Sequence, residues 1–459
     1  MVISKLMNDQ GGWIQGEDNI ANAACEYFQQ IFTGKSERIQ EELLECIPNM
    51  ISHDQNSDLD RMPSEDELRR IIMSMNPNSA PGPDGIGGKF YQECFDIIKE
   101  DLMAAVTSFF NGNIMPRHMT HACLVLLPKI DHPNKLKDYR PISLSNFTNK
   151  IISKILSTRL VVILPDIVSE NQSGFVRGRS ISENIMLAQE VIHGIKLPKE
   201  GMNVVIKLDM VKAYDRVSWA YTCIVLRKMG FSELFIDRAW RIMSKNWYSI
   251  MINGKKHGFF HSTRGLKQGD PLSPALFVLG AKVFSRHLNL LYQNHQHKGF
   301  NMESRGAQIN HLSFADDIII FTSTNIRSLQ LIMKIIEEYE SVSDQKVNKE
   351  KSFLWLHLRL VILLLRISKM VTGFGMKSSP INYLGCPLYI GGQSIIYFSD
   401  VVDKVITKIS GWQSKILNFG GKLTLIKHVL QSITIHTLAA ISPPKSTLKH
   451  IKRLMADFF

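Results

Sequence analysis

Cysteine is scarce in this chain, and its few copies are scattered. The 459 residues include six cysteines, and no two of them form a Cys-x-x-Cys pair. Neither a zinc knuckle nor a disulfide framework is supported, and a reducing compartment is the default. Residues 1–30 also lack a charged start followed by an apolar core, so no secretory signal is visible.

Long uncharged apolar runs are missing as well. The most apolar stretch, residues 353–370, contains His357, Arg359, Arg366 and Lys369. Its longest uncharged run is far shorter than the ~20 residues that a transmembrane helix needs. The sequence therefore predicts no membrane span.

Negative charge is in the minority. The chain has 42 Asp and Glu residues against 54 Lys and Arg residues, and its formal net charge is +12. Such an excess favours a polyanionic partner such as nucleic acid, although many basic proteins bind none. The length exceeds the roughly 250–300 residues at which a single core stops growing, which predicts two or three subdomains.

Against this basic background, carboxylates stand at two costly positions. Asp209 follows the apolar run 204–208, and Asp316 and Asp317 stand between the apolar runs 312–315 and 318–321. Desolvating a carboxylate at the end of a buried strand costs several kcal/mol unless a cation or hydrogen bonds offset it. A solvated turn is the common interpretation of Asp-Asp, but the flanking apolar runs disfavour it. Carboxylates that hold paired divalent ions are the usual device for moving phosphoryl groups, and hard oxygen ligands favour magnesium.

The apolar pattern predicts helices over 14–75, with an N-terminal capping signal at 63–68, and over 146–164. It also predicts strands between the motifs and a strand-turn-strand over 311–322. Residues 124–127 and 138–144 have the pattern of two strands, which would present Lys129 and Arg140 together. Further along, Asn-Gly at 253–254 is a strong hairpin signal between strands at 248–252 and 258–262.

Two loops have the composition of nucleic-acid contacts. Residues 172–180 place Arg177 and Arg179 among glycines and one aromatic, which suits a close approach to a phosphate backbone, although a solvated basic turn has the same composition. Residues 264–274 form a glycine-rich basic turn before a helix, which can receive an anion or a base edge.

Six motifs, taken in order, resemble the reverse transcriptase of a non-LTR, LINE-type retrotransposon. Residues 383–388 and 411–430 are most similar to plant copies of this class. The six motifs are Pro81–Gly85, Leu127–Lys129 with Tyr139–Leu144, Gln172–Ser180, Lys207–Asp209 with Ala213–Asp215, Arg264–Pro274, and Phe314–Asp317.

The resemblance implies an α+β, right-hand polymerase fold with fingers, a palm that carries a small antiparallel sheet, and a partial thumb. The expected divisions are a helical N-terminal extension over 1–78, a fingers-like region over 79–200, the palm over 201–352, an irregular and decayed segment with the palm–thumb junction over 353–390, and a helical partial thumb over 391–459.

The implied activity is RNA-directed DNA polymerisation, in which a primer 3′-hydroxyl is extended with dNTPs by a two-metal mechanism. Asp209, Asp316 and Asp317 match the catalytic carboxylates of the family, and the backbone carbonyl of Met210 would help them hold two Mg²⁺ ions, for which Mn²⁺ can substitute. The implied partners are an RNA template and a DNA primer, and the implied location is the nucleus.

The remaining roles follow from matches to single motif positions. Arg supplies a planar fork for a triphosphate and Lys a point charge, while an aromatic ring under the sugar excludes a 2′-hydroxyl. The matches are Lys129, Arg140, Tyr214 and Gln268 for dNTP binding, Arg177, Arg179, Arg264 and Gly269 for template and primer binding, and Lys349 or Lys351 for protonating pyrophosphate.

Several alternatives remain open at this point. The crowded apolar residues of 353–370 favour a frame slip or a decayed stretch, because such a segment is stable only inside a core; a buried helix is the other interpretation. A decayed copy would keep the fold and bind nucleic acid without catalysis. A group II intron maturase and a nuclease with the same carboxylates rank lower.

Overall fold

The computed structural model describes residues 2–8, 10–34, 39–196, 202–302, 308–356, 362–411 and 416–459. The strands in these ranges are β1 (Lys5–Met7), β2 (Trp13–Gln15), β3 (His121–Pro128), β4 (Tyr139–Ser145), β5 (Asn203–Leu208), β6 (Trp247–Ile252), β7 (Lys255–His261), β8 (His311–Phe314), β9 (Asp317–Ser323), β10 (Phe353–Leu356), β11 (Gly375–Lys377), β12 (Ile381–Tyr383) and β13 (Cys386–Leu388).

The helices fill most of the remaining described chain, so the structure mixes helices and sheets as the sequence predicts. A π-helical turn over Ile426–Leu430 joins the helices labelled α16 and α17. The helices are α1 (Glu17–Phe32), α2 (His53–Asp60), α3 (Glu65–Ser74), α4 (Gly88–Glu93), α5 (Phe95–Phe110), α6 (Arg117–Thr120), α7 (Phe147–Ile167), α8 (Ile181–His193), α9 (Ala213–Arg216), α10 (Trp219–Met229), α11 (Glu233–Ser244), α12 (Ser273–Leu290), α13 (Ile326–Ser343), α14 (Ile362–Thr372), α15 (Ser399–Ser410), α16 (Phe419–Leu425), α17 (Gln431–Ala440) and α18 (Lys445–Phe458).

The central sheet brings the two acidic motifs to one edge. Its described strands run in the order β11-β10-β5-β9-β8, and β5 is antiparallel to β9 with Leu208 opposite Ile318. Strands β8 and β9 form a tight hairpin in which Phe314 faces Asp317. Asp209 follows the last residue of β5, so it emerges at the same end of the sheet as the β8–β9 turn. The predicted strand-turn-strand is confirmed.

Both faces of this sheet are covered, which explains its continuous apolar strands. Val204 and Ile206 of β5 pack into one hydrophobic core, whereas Val205 between them packs into another. Successive side chains of a strand point to opposite faces, so a sheet that is covered on both sides needs apolar residues at every position. Helices α7 and α12 contribute to the first core, and helix α8 contributes to the second.

A second sheet holds the predicted pair of basic residues. Its described strands run in the order β4-β3-β6-β7, with β3 antiparallel to β4 and Leu127 opposite Arg140. The hairpin β6–β7 turns at Asn253 and Gly254, which both have positive φ, as the favoured two-residue hairpin turn requires. Both strand pairs that the sequence predicts here are confirmed.

The N-terminal part is helical and docks through a buried ion pair. Ser64 caps α3 by accepting a hydrogen bond from the amide of Glu67 at 3.2 Å, as predicted. The Glu67 carboxylate in turn accepts two hydrogen bonds from Arg159 of α7, at 2.9 and 2.8 Å. This pair ties the N-terminal helices to the centre of the molecule.

The prediction of an irregular segment from residue 353 is wrong for its first residues. Phe353–Leu356 is strand β10, which is fully buried and pairs antiparallel with β5. Its unbroken apolar character follows from burial on both faces of the central sheet. Ile362–Thr372 is helix α14, and residues 357–361 lie outside the described residues. Across the described ranges, none of the helices is both long and apolar enough to cross a bilayer.

Candidate active site

The main chain around Asp209 is pinned on its far side by the segment that precedes β10. The amide of Asp209 donates to Ser352 Oγ at 3.0 Å, and its carbonyl accepts from the amide of Asn348 at 2.7 Å. Met210 continues this contact as an isolated antiparallel bridge to Val347. Both backbone groups of Asp209 are therefore hydrogen-bonded, which fixes the main chain that carries its carboxylate.

The β8–β9 turn presents Asp316 at its tip. Ala315 adopts a left-handed conformation with φ of 55°, and this tight reversal leaves Asp316 on the exposed side of the turn. The pKa of the Asp316 carboxyl is raised because neighbouring protein partly desolvates it and because the charge of Asp209 is close. The cations Lys207 and Arg140 oppose this rise.

Asp317 points to a different partner. Its carboxylate forms an ion pair with the buried amine of Lys207, which also lies 5.5 Å from the ring centroid of Tyr383. Burial lowers the pKa of Lys207 to about 8, and the nearby charges of Asp209 and Asp316 oppose this shift. A buried cation thus lies next to Asp209, Asp316 and Asp317, the acidic cluster of the site, and neutralises part of its charge.

The acidic cluster fits a divalent cation whose other ligands come from a substrate. Among the described residues, no group of three or more His, Cys, Asp or Glu side chains is arranged to hold a metal ion. Asp209 and Asp316 nevertheless bring two like charges together at one sheet edge. Magnesium is commonly held by one or two carboxylates together with substrate phosphates, so this donor set is suitable for it.

Four cations lie within electrostatic reach of one another, and one of them, Arg140, also reaches Asp316. The charges of Lys351 and Arg140 add to the effect of burial in lowering the pKa of Lys129. Burial lowers the pKa of Lys212 to about 8, with further contributions from Lys129 and Lys351. Lys349 and Lys351 are both exposed, and Lys351 is the one whose charge acts on Lys129 and Lys212. This concentration of positive charge is suited to a polyphosphate.

An aromatic stack and a buried carboxylate lie next to the charged residues of the site. The ring of Tyr214 stacks on Phe277 with a centroid separation of 4.5 Å and an interplanar angle of 6°. Next to it, Asp215 is fully buried and accepts a hydrogen bond from Gln268 Nε2 at 2.9 Å. Burial raises the pKa of Asp215 to about 6. The Gln268 amide is thereby held at the edge of the site.

The four residues predicted to bind template or primer divide into two groups. Arg177 and Gly269 are exposed. Arg179 instead donates to the backbone carbonyls of Pro165, Val168, Ser169 and Gln172. Arg264 is buried and paired with Asp344, and its Nε donates to Ile31 O at 2.8 Å. The guanidinium groups of Arg179 and Arg264 are engaged inside the protein, so we no longer assign them to phosphates.

Sequence reasoning missed three charged residues of the site, namely Lys207, Lys212 and Asp215. Lys207 and Asp215 belong to the motif that contains Asp209, and Lys212 lies between its two parts. The sequence did contain a signal for them: each is a charged residue in or shortly after an apolar strand that is expected to be buried. A buried charge needs a partner. The identity of each partner, however, depends on contacts that are distant along the chain.

Comparison with known proteins agrees with this geometry. The family described as reverse transcriptase (RNA-dependent DNA polymerase) matches residues 127–388. The chain belongs to the reverse transcriptase family. The match includes all of the acidic and basic residues of the candidate site and confirms the resemblance drawn from the motifs.

Similar proteins come from mobile elements. An uncharacterized 149 kDa protein of transposon TX1 from Xenopus laevis is 26% identical over 99% of this chain. A Pol polyprotein from type-2 retrotransposable element R2DM of Drosophila melanogaster is 30% identical over 63% of the chain, and one from type-1 retrotransposable element R2 of Popillia japonica is 25% identical over 63%. The chain spans 34%, 26% and 38% of these relatives, respectively.

Proposed function

We propose that this chain is an RNA-directed DNA polymerase that extends a primer 3′-hydroxyl with deoxynucleotides on an RNA template. The observation that carries the proposal is the meeting of Asp209 and Asp316 at one sheet edge, with Arg140 linking them electrostatically to a group of cations. The carboxylates suit a divalent metal, and the group of cations suits a triphosphate. Family membership supports the same reaction.

Asp209 and Asp316, helped by the carbonyl of Met210, are the proposed magnesium ligands. Two such ions, when bound, would lower the pKa of the primer hydroxyl and offset the charge of the triphosphate, and manganese could replace magnesium. The chain's own contribution is position, since the backbone of Asp209 is held by Ser352 and Asn348. We assign Asp317 a supporting role because its carboxylate is paired with Lys207.

The basic cluster is the proposed triphosphate grip. Lys129 and Arg140 approach from neighbouring strands, as the sequence predicts, and Lys212 joins them from the turn after Asp209. Of the two candidates for protonating pyrophosphate we favour Lys351, since its charge reaches both Lys129 and Lys212. This role needs an amine that approaches the leaving group.

Tyr214 and Gln268 are proposed to recognise the nucleotide. The Tyr214 ring is backed by Phe277, so it has little room to move away from a 2′-hydroxyl. Gln268 is held by Asp215, and its neighbour Gly269 has a positive φ of 104°. A loop of this kind allows a template base or a new base pair to approach the backbone closely.

We propose that the finer architecture follows the right-hand pattern. We propose that the sheet β4-β3-β6-β7 belongs to the fingers side, that the central sheet is the palm, and that residues 391–459 form part of a thumb. Strand β10 extends the palm past residue 352. Arg177 is a proposed contact of the template or primer, and nuclear location is proposed on family resemblance alone.

The competing proposal of a decayed, non-catalytic copy has less support than the sequence suggested. The argument for it was the crowded apolar segment, but residues 353–356 of that segment form a buried strand in the central sheet. The carboxylates and the cations near them are all retained in the sequence.

Primer extension on an RNA template tests the proposal. Purified chain should add deoxynucleotides in the presence of magnesium, whereas Asp209→Asn and Asp316→Asn should not, because each variant loses a metal ligand. Extension by either variant at the wild-type rate would overturn the assignment of the site. No extension by a folded wild type that binds RNA would favour the decayed copy.

A further inference from the structure

A buried glutamine forms two hydrogen bonds with the turn that carries Asp316. Gln172 Oε1 accepts from the amide of Ala315 at 2.8 Å, and Gln172 Nε2 donates to the carbonyl of Ala315 at 3.3 Å. The side-chain amide thus pairs with both backbone groups of one residue, much as a neighbouring strand would. Gln172 is only 4% exposed, so solvent cannot readily replace these bonds.

The residue held in this way is the strained one. Ala315 has a φ of 55°, a region that L-residues other than glycine, asparagine and aspartate seldom occupy. Strained backbone persists where surrounding contacts over-determine it, and it is concentrated at functional sites. Because Asp316 is the next residue, the conformation of Ala315 sets where its carboxylate emerges.

The loop that carries Gln172 is shaped to come this close. A Cβ on Gly174 would lie 2.5 Å from the amide nitrogen of Ala315, so only glycine fits there. The amide of Gly174 also donates to Gln172 Oε1 at 2.8 Å, which fixes the side-chain amide in one orientation. On both sides of Gln172 the backbone pairs with β8, through Asn171 and Ser173 to Ser313.

Other residues brace this loop from behind. Asn184 donates to Ser173 Oγ at 3.0 Å and to the carbonyl of Ser313 at 3.2 Å, and it accepts from Tyr383 Oη at 2.7 Å. Arg179 ties the loop to the end of α7 through four backbone carbonyls. The motif 172–180 was predicted to contact phosphates. Most of its described polar contacts instead support the turn at Ala315 and Asp316.

We propose that Gln172 is a positioning residue that sets the Asp316 carboxylate through the backbone of Ala315. This inference rests on the proposed function, since it concerns how Asp316 meets its metal. A primary amide of this length supplies an acceptor for the Ala315 amide and a donor for the Ala315 carbonyl together, at any pH. Methionine would preserve the volume but lose both bonds, and glutamate would keep the acceptor but lose the donor while it is ionised.

The test compares Gln172→Met, Gln172→Glu and Ser173→Ala with the wild type in the full chain. Steady-state primer extension gives kcat and the KM for dNTP, and electron paramagnetic resonance with Mn²⁺ gives metal affinity without requiring activity. Gln172→Met should lose about 100-fold in kcat with little change in KM, as expected for a misplacement near 1 Å, and should bind Mn²⁺ about tenfold more weakly.

Gln172→Glu adds a readout that a merely structural role would not move. A buried glutamate has a raised pKa, and its protonated form regains a donor for the Ala315 carbonyl. Its kcat relative to wild type should therefore increase as the pH is lowered from 8.5 to 6.5. A ratio that stays flat across this range would contradict the proposal.

Ser173→Ala is the matched control, because it removes only the bond from Asn184 to Ser173 Oγ, while Asn184 keeps its bond to the Ser313 carbonyl and Gln172 keeps both bonds to Ala315. Its kcat and Mn²⁺ affinity should match those of the wild type. Gln172→Met with wild-type kcat and Mn²⁺ affinity would overturn the inference while the proposed function stands. A wild type that binds Mn²⁺ but extends nothing would count against the proposed function instead, and the Mn²⁺ affinities would still decide the role of Gln172.

Discussion

Two charged clusters in this protein differ in how their charges are balanced. Where α3 meets α7, Glu67 receives two hydrogen bonds from Arg159, whose remaining terminal nitrogen donates to the carbonyls of Leu59 and Arg61. Burial alone would raise the pKa of Glu67, but Arg159 holds it below its ordinary value. Charge and hydrogen bonds are complete within the protein.

At the edge of the central sheet the balance is not complete. Asp209 and Asp316 repel each other, and the buried cation Lys207 is committed to Asp317. The pKa of Asp316 is raised, whereas that of Glu67 is lowered. A closed ion pair holds the fold together, and an open cluster of like charges leaves room for a cation from outside.

The largest effect is expected from Asp316→Asn. Losing a metal ligand should lower the rate of nucleotide addition by about 10³-fold or more, since metal ions supply several kcal/mol of transition-state stabilisation. RNA affinity, measured by filter binding, should be equal or slightly higher because one negative charge is removed. Loss of RNA binding together with activity would indicate that the residue holds the fold, as Glu67 does.

The opposite pattern is expected for Glu67→Gln. This change leaves the Arg159 guanidinium buried without its counter-charge, which should lower the free energy of unfolding by about 3 kcal/mol in urea denaturation. Glu233→Gln, which breaks an exposed pair with Arg227, is the control and should have little effect. If stability is unaffected by Glu67→Gln, the closed pair is not what fastens the N-terminal helices.

A buried histidine in β8 differs from both clusters, because burial keeps its side chain uncharged. His311 makes hydrogen bonds with Ser285 Oγ at 2.7 Å and Asn310 Oδ1 at 2.6 Å, and burial lowers its pKa to about 3. Between this value and its ordinary 6.5, the unfolded chain binds a proton that the folded chain does not. Stability from this group is therefore complete above pH 6.5 and is lost as the pH falls below it.

The measurement is urea denaturation at several pH values for wild type and His311→Gln. The difference between the two isolates this group from Asp215, whose raised pKa acts in the opposite direction over the same range. Wild type should lose up to about 1.4 kcal/mol per pH unit relative to the variant between pH 5.5 and 4. Parallel pH profiles would show that His311 is not held neutral.

The smallest expected effect comes from Lys207→Met, which makes the open cluster more negative. Removing this cation should tighten Mn²⁺ binding roughly tenfold, since close charges inside a protein interact by a few kcal/mol before screening and relaxation. Lys334→Met, at an exposed position on α13, is the control for a general change of charge. Weaker Mn²⁺ binding by Lys207→Met would mean that the ion pair with Asp317 matters more than the charge.

Much of the fold could be predicted wherever local signals decide it. Apolar runs on both sides of Asp316 and Asp317 predicted the β8–β9 hairpin, Asn253-Gly254 predicted β6–β7, and Ser64 predicted the start of α3. Each signal lies within a few residues, where turn chemistry and periodicity act. The three carboxylates were found for the same reason.

The interactions that complete the site could not be predicted in this way. Gln172 is 143 residues from Ala315, and Gln268 is 53 residues from Asp215. The strand β10 appeared irregular because the sequence does not reveal that its neighbour β5 is covered on both faces. Partners of buried polar groups are set by tertiary packing, which a pattern of residue types does not encode locally.

The most direct test of the open cluster is single-nucleotide addition by the wild-type chain on an RNA template, titrated with magnesium after chelation. We predict no addition in the chelator and recovery as magnesium or manganese is restored. Addition should also require the nucleotide that pairs with the template. Addition that survives chelation, or a folded and RNA-bound chain that adds nothing at any magnesium concentration, would contradict these predictions.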